Sequence, residues 1–106
     1  MKSEIDFDKL LVRIIDHSLK EVFTENAALT IYAYLESSYA LSQEDIPEKL
    51  DLFVNGLHKF LSTGAFMVER VILENLYSKL ELEHQLDVDC DFKNCIAQLR
   101  NSLKLK

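Results

Sequence analysis

The stretch 66–82, FMVERVILENLYSKLEL, is the most apolar helical segment of the chain. Ten of its seventeen residues are apolar, and on a helical projection they cover most of the circumference. Leaving a whole side of such a helix in water is unfavourable, because its apolar side chains then stay hydrated. We therefore expect the other segments to surround it and to make it the central post of the fold.

Length and composition place residues 1–106 in a single globular domain. Apolar residues make up 48% of the chain and charged residues 28%, which is an ordinary globular mixture. The sequence has two Gly, one Pro and no Trp, and the scarcity of the two helix breakers favours helices over strands. The composition thus predicts an all-α domain.

Hydrophobic periodicity divides the chain into five helical segments. They run over 6–23, 26–39, from about Pro47 to 61, 63–82, and from a cap at Asp89 or Asp91 to 103. Pro47 suits a first helical turn, and a hydroxyl at the joint 62–64 is expected to cap the fourth helix. The acidic segment 83–89 is expected to be a loop. Short connections imply antiparallel neighbours, so we predict a five-helix, bundle-like architecture.

The net charge of −6 disfavours nucleic acid as a partner, because an acidic surface repels phosphates. The sequence has no secretory signal and no apolar run near the roughly 18 residues that a membrane span needs. We therefore expect a cytoplasmic protein. Cys90 and Cys95 would lie about 140° apart on a helix, too far around it to share a metal ion.

Glu69 is the least expected residue of the fourth segment, because it falls inside the apolar arc. A carboxylate there loses hydration unless it is paired or protonated. It is either a perturbed acid in a functional site or a structural group, in a wet gap or paired with a base such as Arg13, His17 or Lys59. No second carboxylate, histidine pair or nucleophile accompanies it, so no catalytic residue is assigned.

The three histidines do not have the spacing of a metal site. His58 invites comparison with a phosphotransfer histidine, but Leu61 stands where a lysine would be needed to offset phosphoryl charge. We interpret His58 as an exposed edge residue. The acids Glu44, Asp45, Glu48 and Asp51 suit a solvated helix start better than a calcium loop, whose Asp-x-Asp-x-Asp-Gly pattern is missing. Asp87, Asp89 and Asp91 alternate before a helix, and a weakly bound cation is the alternative for them. No metal, cofactor or small-molecule ligand is therefore predicted.

Three apolar residues fall off the predicted buried stripes: Leu52 on the third helix, and Met67 and Val71 on the fourth. Either the fifth helix or another subunit covers Met67 and Val71, and a patch built from such residues would be an interface. The helix-spaced aromatic residues are instead assigned to the core. They are Tyr32, Tyr34, Tyr39, Phe53, Phe60 and Phe66.

Three short features in 39–80 carry a family resemblance: Ile46-Pro47-Glu48 in the turn after Tyr39, the Gly64-Ala65 joint, and Leu76-Tyr77 before Lys79-Leu80. In these features the chain resembles a small archaeal family known as an output domain of Nitrosopumilus-type signalling proteins. The resemblance covers about half of the chain. It implies a helical module that occurs alone or attached to signalling domains, with no catalytic residues to transfer. We expect a version without a receiver or sensor domain.

These observations favour a small helical module for protein interaction or signalling output, working on another protein or on a second copy of itself, without enzyme activity. One alternative is a DNA-binding regulator with a helix-turn-helix at the joint 62–64. Against it, the fourth helix offers only Arg70 and Lys79 as bases. The other alternative is a small helical enzyme that uses Glu69 as its acid.

Overall fold

The computed structural model describes residues 6–80 and 91–104, and all regular structure in those ranges is helical. The elements are α1 Phe7–Val22, α2 Glu25–Tyr39, a 3₁₀ helix Gln43–Glu48, α3 Leu50–Leu61, α4 Gly64–Lys79 and α5 Phe92–Lys104. The predicted all-α, bundle-like fold is confirmed. The expected loop 83–89, with Cys90, lies outside the described residues.

The first two helices follow their local sequence signals closely. The Asp6 carboxylate accepts from the Lys9 backbone N–H at 3.2 Å and caps α1, and the Thr24 hydroxyl accepts from the Ala27 N–H at 3.1 Å and caps α2. The helical spacing predicts an apolar face of α1 that is buried in the structure from Phe7 to Leu19. Its predicted members are Phe7, Leu11, Ile14, Ile15, Ser18, Leu19 and Val22. In both helices the caps and the hydrophobic periodicity indicate the same helix bounds, and tertiary packing does not change them.

The expected start of the third helix at Pro47 is wrong. Pro47 lies inside the 3₁₀ helix, and α3 begins at Leu50. Pro47 has no N–H to donate and disfavours the α conformation at Ile46, so the chain takes the tighter helix first. Ile46 and Pro47 are both buried, and Lys49, at φ −129° and ψ 52°, separates the two helices.

The α4 helix packs against α1, α3 and α5, but only along one side. Its buried residues are Ala65, Val68, Glu69, Ile72, Leu73 and Leu76. On the other side Phe66 is 62% exposed and Met67 is 55% exposed, with exposed Arg70 and Glu74 beside them. The expectation that neighbours enclose α4 on all sides is therefore wrong. Covering that side would have removed Arg70 and Glu74 from water as well.

Two of the six aromatic residues assigned to the core lie at the surface instead. Phe60 is 40% exposed and rests on the Tyr34 ring at a centroid distance of 4.9 Å, while Phe66 projects from the open side of α4. Helical spacing places a residue on a face, but it does not show whether a neighbouring helix reaches that far along the face.

The α5 helix is fastened to the opposite end of the chain by Arg100. Its guanidinium pairs with Asp8 at 3.0 Å, donates to the Pro47 carbonyl at 3.3 Å and stacks over the Phe7 ring at 5.2 Å. Arg100 is thus a structural contact between α5 and the start of the chain.

Within the described residues, no helix combines the length and the apolar character that a membrane crossing requires.

The α3–α4 turn holds a strained residue. Ser62 has φ 54° and ψ −130°, a conformation that favours glycine. Thr63, at the N-cap position of α4, makes no side-chain cap bond, so the hydroxyl cap expected in the joint 62–64 is absent there. Replacing Ser62 by Gly is expected to raise the free energy of unfolding by about 1 kcal/mol, because relief of the strain exceeds the entropy that glycine adds to the unfolded chain. Chemical denaturation measures the change.

The control is Ser38→Gly, at an exposed position in the last turn of α2. There the backbone is helical, so glycine is expected to cost about 0.5 kcal/mol. Equal losses in the two variants would contradict the strain at Ser62.

Candidate functional site

A polar contact between α3 and α4 joins His58 to Glu69. The Nε2 atom of His58 lies 2.9 Å from Oε2 of Glu69, and it donates the hydrogen bond when the carboxylate is ionised. Glu69 is only 8% exposed, whereas His58 is half-buried. The interpretation of His58 as an exposed edge residue is therefore wrong, and none of the three bases considered as partners of Glu69 is the one that binds it.

Burial raises the pKa of the Glu69 carboxyl above its ordinary value, and the charge of Asp91 adds to the effect. The hydrogen bond and charge of His58 act in the opposite direction without cancelling the desolvation. Because the folded protein binds this proton more tightly than the unfolded chain, Glu69 contributes stability below its unfolded pKa. That contribution is lost as the pH rises through the folded pKa. An ionised Glu69 therefore opposes folding, which marks it as a candidate functional group.

The imidazole of His58 also contacts Phe66, which lies one turn before Glu69 on α4. The two rings meet edge to face, with centroids 4.6 Å apart and planes at 81°. One side chain of α3 thus touches both a buried acid and an exposed aromatic residue of α4. His58 therefore links the buried Glu69 to Phe66 on the open side of α4.

The open side of α4, which we name the α4 outer face, consists of Phe66, Met67, Arg70, Val71 and Glu74. Met67 and Val71, both predicted interface residues, lie one turn apart on it; Met67 is exposed and Val71 half-buried. Arg70 Nε lies 3.5 Å from Glu74 Oε2. The third predicted interface residue, Leu52, is separate from this face, because it packs half-buried against the core from α3.

The remaining polar candidates lie elsewhere. His17 and Glu21 form an exposed pair at 3.7 Å on α1, and the Asp91 carboxylate accepts from the Asn94 N–H at 2.9 Å as the cap of α5. Among the described residues no group of three or more His, Cys, Asp or Glu is arranged to hold a metal ion. Cys95 is buried in the core.

The structure also locates the bases considered for nucleic-acid recognition. Of the two bases expected on a recognition helix, Arg70 is exposed and lies 3.5 Å from Glu74, and Lys79 lies in the last turn of α4. Arg100, a third base, is engaged by Asp8. A recognition helix needs bases and amides free to reach phosphates and base edges.

Sequence reasoning missed the pairing of His58 with Glu69, although a signal for it was present. Antiparallel helices joined by a short turn bring together residues at similar distances from that turn. His58 lies five residues before Thr63 and Glu69 six residues after it. Folding the predicted hairpin at the joint 62–64 would have placed the two side chains together.

Comparison with known proteins identifies no relative: no family model, no curated protein and no solved structure matches the sequence. The resemblance to an archaeal signalling-output family therefore stays a prediction.

Proposed function

We propose that the chain is a small helical interaction module that associates with a second copy of itself through the α4 outer face. The observation that supports this is the pair of consecutive exposed apolar residues, Phe66 and Met67, beside charges of both signs. Exposed apolar residues that adjoin one another with polar neighbours are typical of contact surfaces. The proposal assigns no catalytic role to the chain.

The arrangement of charge favours a second copy over an unrelated partner. Arg70 and Glu74 lie one turn apart on the same face. A two-fold axis near position 72 would set two α4 helices antiparallel and bring Arg70 of one copy to Glu74 of the other, twice. The charges of the face are thus complementary to themselves, although the whole chain carries −6.

The size of the face predicts a weak contact. From their exposed fractions, Phe66 and Met67 offer roughly 200 to 300 Å² of surface per copy. A stable dimer buries about 800 Å² per partner, so association through this face is expected to be reversible and to need high protein concentration. A reversible contact also suits the signalling-output role that the family resemblance implies.

Sedimentation velocity over micromolar to millimolar protein tests the proposal, at an ionic strength of about 0.15 M so that repulsion between two acidic copies is screened. We expect a concentration-dependent monomer–dimer equilibrium. Met67→Asp is expected to raise the dissociation constant at least about tenfold, because it places an unpaired charge in the contact.

The matched control is Leu29→Asp on α2. Leu29 is 57% exposed, close to the exposure of Met67, and the substitution adds the same charge away from the α4 outer face. It is expected to leave the dissociation constant within about twofold. A wild-type chain that stays monomeric at millimolar concentration, or equal weakening by both variants, would contradict the proposal.

A further inference from the structure

His58 bridges two residues of α4 that face different surroundings. It bonds the buried Glu69 carboxylate through Nε2 at 2.9 Å, and its ring meets the exposed Phe66 ring at 4.6 Å. Phe66 and Glu69 are three residues apart and therefore lie one above the other on the helix. A change in the orientation of the His58 ring would therefore alter its contacts with both Phe66 and Glu69.

The charged groups around Glu69 come from two of the three helices packed against α4. From α3 the group is His58, and from the start of α5 it is Asp91. The α1 acid Glu21 reaches α4 at Asn75, 3.1 Å away and more than a turn beyond Glu69. Within the described chain, His58 is the base placed to respond when Glu69 changes its charge.

We propose that His58 and Glu69 form a proton-operated clasp that sets the position of Phe66 on the α4 outer face. With Glu69 ionised, its Oε2 accepts from Nε2–H of His58 and fixes the ring against Phe66. When a proton binds the Glu69 carboxylate, the negative charge that holds Nε2 disappears, the ring turns more freely, and Phe66 loses its edge contact. The consequence for docking rests on the proposed function, whereas the movement of Phe66 does not.

The direction of the Glu69 pKa makes this a change within the folded state. Since that pKa is raised, protonation occurs at a higher pH than in the unfolded chain and favours the native state. Lowering the pH through the titration of Glu69 therefore loosens the clasp. Protonation of Glu69 does not itself destabilise the folded domain.

An NMR titration of the labelled full chain from about pH 8 to about pH 4 tests the proposal. The three signals to follow are the Glu69 side-chain carboxyl carbon, His58 Nε2 and the Phe66 ring. We expect the Phe66 ring signals to shift with the midpoint of the Glu69 carboxyl. In Glu69→Gln, which keeps an oxygen acceptor for His58 but does not titrate, that response is expected to be lost.

The matched control is Glu36→Gln, at an exposed position on α2, which is expected to keep the full Phe66 response. Phe66 signals that stay constant while Glu69 titrates would overturn the clasp, and so would an unchanged response in Glu69→Gln. Should Glu69→Gln fail to fold, the wild-type midpoints alone decide, because they either coincide or differ. This readout needs no dimer, so its failure is distinguishable from a failure of self-association.

Discussion

Replacing Phe53 by Ala is expected to lower the free energy of unfolding by about 3 to 5 kcal/mol. The Phe53 ring is fully buried in the core and lies 6.2 Å from the Phe92 ring of α5. The substitution removes apolar burial and leaves a cavity where α3 meets α5. A loss of this size is a large fraction of the stability of a domain of this length.

Phe66→Ala is the matched control, since it deletes the same side chain from an exposed position. It gives up the edge contact with His58 and little burial, so a loss of about 1 kcal/mol or less is expected. Denaturant unfolding of both variants, followed by circular dichroism, measures the two changes. Comparable losses at Phe53 and Phe66 would show that the described core is wrong.

Gly56→Ala is expected to destabilise the domain by about 1 to 3 kcal/mol, although alanine is the better helix former. Gly56 is buried in α3, where the helix approaches α2 closely. A Cβ atom there would overlap Leu35 Cδ2 and lie 3.0 Å from Tyr39 Cε2. Leu35 is itself buried, so its side chain would have to shift against the residues packed around it.

The same substitution at Gly64 is expected to have the opposite sign. Gly64 begins α4, and a Cβ there would meet only the Leu61 Cβ at 3.8 Å, an ordinary contact. Gly64→Ala should therefore gain up to about 1 kcal/mol from reduced backbone entropy in the unfolded chain. Thermal and denaturant unfolding of the two variants measures the sign of each change in the free energy of unfolding. A stabilised Gly56→Ala would mean that α2 and α3 are not in close contact.

The features that the sequence predicted well depend on neighbours along the chain. The segments predicted over 6–23 and 26–39 form α1 and α2, because Asp6 and Thr24 cap their own first turns and the stripe from Phe7 to Leu19 repeats with the helical period. The start of α3 was missed although its cause is also local: Pro47 disfavours the α conformation at Ile46, and the chain forms a 3₁₀ helix before Leu50.

The candidate site was predicted only in part. Glu69 and Met67 were singled out from their positions on the helical wheel, and the structure places one in the core and the other at the surface. Phe66 was assigned to the core and is exposed, while His58 was assigned to the surface and binds Glu69. A wheel gives the direction of a side chain but not the distance to the next helix.

By itself, the sequence determined that the chain is helical, where most helices begin, and which face of α1 is buried, because hydrogen bonds, caps and periodicity act over a few residues. The tertiary structure alone decided that His58 meets Glu69, that Gly56 lies against Leu35 and that Phe66 stays in water. Those contacts join separate helices, and they exist only once packing sets the distance between them.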